Sequence, residues 1–154
     1  MRSADRLERN MSKGQNRNKA ESYLKKIRDN DRVLKSKRDE LDALRYKASG
    51  AGAIRYDKDR VQTSPKDYLS MAMDDIIKIE KQIEEKELVL EEMKGKAYTI
   101  VRMIPQTDHR IIIEWYYLNG LSMLATADKM NIAERTAYYL RDDALESFGK
   151  VMGK

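Results

Sequence analysis

Five side chains near the end of the chain have the types and spacing to read nucleic acid: Glu134, Arg135, Tyr138, Arg141 and Asp142. At 3.6 residues per turn they share one side of a helix. An arginine there offers a forked donor that matches guanine O6 and N7 in a major groove. A tyrosine can pack on sugar, phosphate or a thymine methyl. On the other side of the same helix run Ala137, Leu140, Ala144 and Leu145, an apolar stripe at helical spacing.

Such a helix needs a second one to hold it. The run from Leu121 to Phe148 supplies it. Ser122 can cap a short helix by accepting from a first-turn N–H. Ala127, four residues before Asn131, lets a following helix cross closely. Asn131 tolerates the left-handed backbone that a tight turn demands, with Met130 and Ile132 pointing inward beside it. This is the layout of a helix-turn-helix whose second helix enters the major groove. The competing reading is an ordinary αα-hairpin. Before it, Gln106 to Asn119 reads as a helix with an apolar face of Ile111, Ile112, Trp115, Tyr116 and Leu118, capped by Thr107 or Asp108 and ended by Asn119-Gly120. It provides the third wall of a small core.

Upstream lie two long helical patterns. From Asn18 to Lys47 the apolar positions Ala20, Tyr23, Ile27, Leu34, Leu41 and Leu44 form a heptad seam, interrupted by Asn30 and Lys37. Ser64 and Pro65 open the next helix, with Asp67 in its first turn. Its seam is Leu69, Ala72, Ile76, Ile79, Ile83, Leu90, Met93, Ala97, Ile100 and Ile104, with Lys86 as the polar intruder, and Pro105 stops it. One narrow apolar stripe needs a partner. The simplest is an antiparallel coiled-coil hairpin, in which Asn30 and Lys86 fall at similar distances from the tip and would meet. The rival arrangement pairs the helices between two chains. The link over 48–64 is long and carries Arg55, Tyr56, Lys58 and Arg60, suited to a partner contact or simply solvated. Residues 1–18 are polar and basic, with Arg2, Arg6, Arg9, Lys13 and Arg17. They are expected as a disordered or weakly helical arm, either phosphate-binding or a solvated tail.

The chain thus divides into a basic flexible arm (1–18), a helical hairpin (19–104) with its loop at 48–64, and a helix-turn-helix domain (105–154). The fold class is all-α: a long antiparallel coiled-coil hairpin followed by a three-helix, helix-turn-helix domain. Charge is distributed unevenly among these parts. Residues 1–64 hold 18 Lys/Arg against 10 Asp/Glu, net +8, whereas 105–154 hold 6 against 7, net −1. Duplex affinity rests largely on phosphate neutralisation, so the N-terminal half or another DNA-bound protein has to supply it.

Catalytic and metal-binding patterns are missing. His109 is the single histidine and there is no cysteine, which leaves neither a zinc set nor a nucleophile–base pair. His109 itself is expected to face solvent. The paired carboxylates Glu84-Glu85 and Asp142-Asp143 point about 100° apart on a helix and cannot share a ligand. No phosphate-binding glycine loop or nucleophile elbow occurs. Neither an enzyme nor a cofactor is expected. The lack of a long apolar run or a signal segment points to a cytoplasmic protein with no membrane partner.

From Arg110 through Tyr116-Tyr117-Leu118-Asn119-Gly120-Leu121-Ser122, then Ala127, Met130-Asn131-Ile132, Arg135-Thr136 and Ala144-Leu145, the chain resembles region four of bacterial sigma factors. More closely, it resembles the phage-encoded late-operon activators of the ArpU and RinA type. The likeness covers about 43 residues, and the helical segment before them matches uncharacterised phage proteins by shape alone. It implies a phage or prophage transcription regulator that binds double-stranded DNA and touches RNA polymerase. The base-reading positions then fall on Glu134, Arg135, Tyr138, Arg141 and Asp142. Three departures stand out: Ala133 where Ser or Thr usually caps the reading helix, Ala137 where a β-branched residue is usual, and the acidic Asp142-Asp143. Two alternatives remain: a packaging protein of the terminase small-subunit kind, and an interaction module that binds polymerase or a sigma factor. A homodimer through the coiled coil is compatible with each.

Overall fold

A computed structural model describes residues 2–50 and 65–154, with side chains over 3–50 and 69–154. The described chain is all-helical and contains no strand. The elements are α1 (Arg2–Ala48), α2 (Pro65–Arg102), α3 (Thr107–Ile112), which continues as a π-helical segment (Ile113–Leu118), α4 (Met123–Met130) and α5 (Glu134–Met152). Two compact units form, one from Met1–Asp31 with Leu90–Lys154 and the other from Arg32–Val89.

In the Arg32–Val89 unit, Leu34 and Leu41 of α1 and Ile76, Ile79 and Ile83 of α2 are buried, as their heptad spacing anticipates. Arg38 pairs with Glu87 at 2.7 Å and Arg45 with Glu80 at 2.8 Å. The order reverses along the two helices, as antiparallel packing requires. Both pairs are about half exposed, so they set register more than they stabilise. Leu69, expected in the seam, is instead exposed, in line with Met73 and Ile77 at i, i+4 spacing. Lys86 is exposed as well. α2 starts at Pro65, where the imino ring suits the first helical position. Ser64, expected to cap it, and the loop residues Arg55, Tyr56, Lys58 and Arg60 lie outside the described residues.

The other unit holds the larger core. Ala20, Leu24 and Ile27 of α1 and Leu90, Ala97 and Val101 of α2 are buried, together with Ile104, Ile112, Ile113, Tyr117 and Leu118. Met123, Ala127, Ala137, Ala144, Leu145 and Phe148 complete it. The Tyr23 ring stacks on Phe148, and its hydroxyl donates to the Met93 carbonyl at 2.9 Å. Asn30, expected to meet Lys86, turns its amide to the Met93 sulfur at 3.8 Å instead. A soft acceptor inside its own unit satisfies it.

Two further expectations change here. The arm does not precede the helix: α1 is continuous from Arg2, so 2–18 is helical. No proline interrupts it, and its later turns find partners. Lys13 reaches Glu146 at 3.8 Å, and the Asn16 backbone lies against Gly149. At α3, Thr107 and Asp108 are the first helical residues rather than caps; Gln106 holds the cap position without a side-chain bond. The Thr107 hydroxyl is instead engaged by Arg110, whose other nitrogen donates to the Ile104 carbonyl at 2.9 Å. That guanidinium satisfies a backbone acceptor left over where α2 stops.

Candidate nucleic-acid interface

The turn between α4 and α5 is built by local chemistry. Ser122 caps α4: its hydroxyl accepts from the Ala125 N–H at 3.1 Å. The Ser122 carbonyl accepts from both the Thr126 N–H at 2.9 Å and the Thr126 hydroxyl at 2.8 Å, so that buried hydroxyl is satisfied. α4 ends in a Schellman-type closure. Asn131 is left-handed (φ 55°, ψ 42°), Ile132 N–H bonds the Ala127 carbonyl, and Asn131 N–H bonds that of Asp128. It is the one described non-glycine residue with positive φ. Ala127 and Ala137 are both fully covered, one on each helix, and their small side chains permit a close crossing.

α5 begins without a side-chain cap, because Ala133 has none to give. Its first turns carry the exposed residues Glu134, Arg135 and Tyr138. Tyr138 is 42% exposed and Tyr139 59%. The Arg135 guanidinium lies 5.9 Å from the Tyr139 ring centroid and donates to its hydroxyl at 3.4 Å. A weak i, i+4 contact of this kind orders the side chain without withdrawing its other donors.

Arg141 and Asp142 sit differently. Both are half-buried on the flank of α5 rather than on its outer side. Arg141 lies 5.1 Å from the Tyr138 ring and bonds Asp142 at 3.3 Å, while its Nε is buried without a partner. Behind it is Tyr117, whose phenol is pushed well above its ordinary value by burial and so stays neutral. Burial alone would lower the Arg141 guanidinium, but Tyr117 and Asp142 outweigh it and the group remains charged. Of the five residues the sequence singled out, three stand clear together and two are tied into a flanking cluster.

Sequence reasoning overlooked three participants. Tyr139 was legible, being four residues after Arg135 on the same face. Tyr117 was hidden inside an apolar run. Arg28 on α1 gave no local signal at all. It donates to the Tyr116 and Leu121 carbonyls, the latter at 2.9 Å, and stacks 4.1 Å from the Tyr116 ring. It thereby ties the wide π-helical turn to the entry of α4. Asn119 N–H closes that turn on Glu114 at 2.7 Å, and Gly120 follows at φ 73°, which places the chain break where Asn-Gly was expected. Lys129 of α4 faces Trp115 at 5.4 Å. His109, expected in solvent, is half-buried and its Nδ1 lies 2.7 Å from the Ser147 hydroxyl, because the first turn of α3 packs on α5.

Among the described residues, no group of three His, Cys, Asp or Glu side chains is placed to hold a metal. No described helix is long and apolar enough to cross a membrane. Comparison of the chain with protein families, curated proteins and solved structures finds no match.

Proposed function

We propose that the protein is a DNA-binding transcription regulator, with α4 and α5 as a sigma-region-four-like helix-turn-helix and α1 and α2 as a coiled-coil hairpin. The observation that carries this reading is the pairing of a tight left-handed turn at Asn131 with an exposed Arg135 and Tyr138 on the first turns of the following helix. In that motif the N-terminal part of the second helix contacts base edges. Arg135 reads a guanine and Tyr138 packs beside it on the backbone or a thymine methyl. Glu134 borders the same surface. Arg141 and Asp142 act from the flank, fixing Tyr138 from behind.

One observation favours a second reading. The exposed pair Tyr138 and Tyr139, with exposed Leu124 and the acidic Asp143 nearby in sequence, would also suit a protein partner such as polymerase. Genomic DNA pull-down with sequencing, followed by gel-shift titration on the enriched site, separates the two. Arg135→Ala is expected to weaken specific binding by about 1–3 kcal/mol and relax preference at one base pair. Equal affinity of wild type and variant would remove Arg135 from the reading. A chain that binds no duplex at low salt yet captures polymerase would leave the interaction module.

A further inference from the structure

The buried face of α1 does not end at Ala20; it changes chemistry. Counting back at helical spacing from Ala20, Leu24 and Ile27, the same face carries Arg17, Lys13, Arg9 and Arg6. At 3.6 residues per turn these four fall within about 80° of arc and span about 16 Å. All four are exposed. Lys13 touches Glu146 and the Arg9 Nε donates to the Asp5 carbonyl, while Arg6 and Arg17 form no ion pair among the described residues. Like charges at i, i+3 and i, i+4 oppose helix formation, and cations near a helix N-terminus do so again. The helix therefore holds a charge line that works against itself until an anion neutralises it.

We infer that Arg6, Arg9, Lys13 and Arg17 form a strip that binds the phosphate backbone of double-stranded nucleic acid without regard to sequence. The partner follows from the chemistry. Three guanidinium forks match phosphate oxygens. A protein partner would want apolar or aromatic anchors within the strip, and there are none; Leu7 and Met11 lie on another side of the helix. A duplex carries about one charge per 1.7 Å of axis, so any 16 Å length presents more phosphates than the strip can neutralise. The strip also supplies the cationic surface that residues 105–154, at net −1 from 6 Lys/Arg against 7 Asp/Glu, do not. The choice of duplex rests on the reading of α5 above, but the strip contacts backbone only.

The test uses the full chain and a short random-sequence duplex, followed by fluorescence anisotropy at about 50 and about 200 mM salt. Replacing Arg6, Arg9, Lys13 and Arg17 together by Gln keeps helix propensity and removes the charge. The expected result is a log–log salt slope flatter by about 3 and binding weaker by about a hundredfold at the lower salt. A second variant, Arg6→Lys with Arg9→Lys and Arg17→Lys, retains charge and is expected within about threefold of wild type. It keeps the test sound should the Gln variant lose helix. An unchanged slope in the Gln variant overturns the strip, and if Arg135→Ala still lowers site preference, the reading of α5 survives that failure. Binding to anionic phosphatidylserine vesicles with none to duplex overturns it as well.

Discussion

Gly149 of α5 lies directly on the Asn16 carbonyl of α1, so close that a Cβ at 149 would collide with backbone. Glycine inside a helix costs roughly 0.5–1 kcal/mol against alanine. In open space Gly149→Ala would stabilise the chain. Here it should destabilise by about 1–3 kcal/mol or more, since rigid backbone rather than a flexible side chain has to move. Gly95, with nothing near its Cβ, is the control: Gly95→Ala should stabilise by roughly 0.5–1 kcal/mol. Denaturant midpoints for the two variants should shift in opposite directions.

Ala133 leaves the first-turn N–H groups of α5 without a side-chain acceptor. Its extended backbone (φ −67°, ψ 147°) is already that of a capping residue. Ala133→Ser should therefore stabilise by about 1 kcal/mol. Thermal unfolding would register this as a rise of roughly 2–4 °C. No gain would mean that another group serves those donors.

Arg28 holds two carbonyls and a ring at once. Arg28→Ala should cost about 2–3 kcal/mol, from charged hydrogen bonds lost and two acceptors left unpaired. Arg28→Lys should recover only a small part, because an ammonium cannot span both acceptors or stack. Chemical denaturation measures both, and a full rescue by lysine would contradict the fork.

The Tyr117 phenol is neutral in the folded state by virtue of burial, and its pKa there lies above the unfolded value. The folded chain thus holds that proton more tightly. Its contribution to stability is complete below the ordinary value of about 10 and falls as pH rises beyond it. Stability should decline in strongly alkaline solution, and Tyr117→Phe should make that decline shallower. Tyr23, raised by burial in the same sense, accounts for a remaining part. An identical alkaline profile in the variant would exclude Tyr117 as its source.

Local rules made much of this legible. The Ser122 cap, the left-handed Asn131, the start at Pro65 and the burial of Ala137 each depend on residues within one or two turns. Heptad spacing located Leu34, Leu41, Ile76, Ile79 and Ile83 for the same reason. What escaped was decided across the chain. Leu24, Val101 and Phe148 are fully buried because three separate helices converge on them, so a two-helix seam under-counts the core. Arg28, the His109–Ser147 contact and the Asn16–Gly149 approach join residues 38 or more positions apart and leave no periodic trace. The arm was taken as unstructured because it lacks apolar period, whereas its later turns are fixed by α5. Within the interface, Arg135 and Tyr138 stand where helical spacing placed them, while Arg141 is drawn inward by a tyrosine that spacing could not reveal.

The π-helical stretch Ile113–Leu118 is wound more loosely than the helix it extends. A coil that takes in an additional amino acid per turn behaves as an insertion absorbed rather than looped out. Deleting one residue there would let the winding tighten to ordinary pitch while swinging everything downstream by about 100°. The Tyr116 and Leu121 carbonyls would then no longer face a single guanidinium, and α4 with α5 would be carried off in a new direction. The slack in that one coil sets where the end of the chain points.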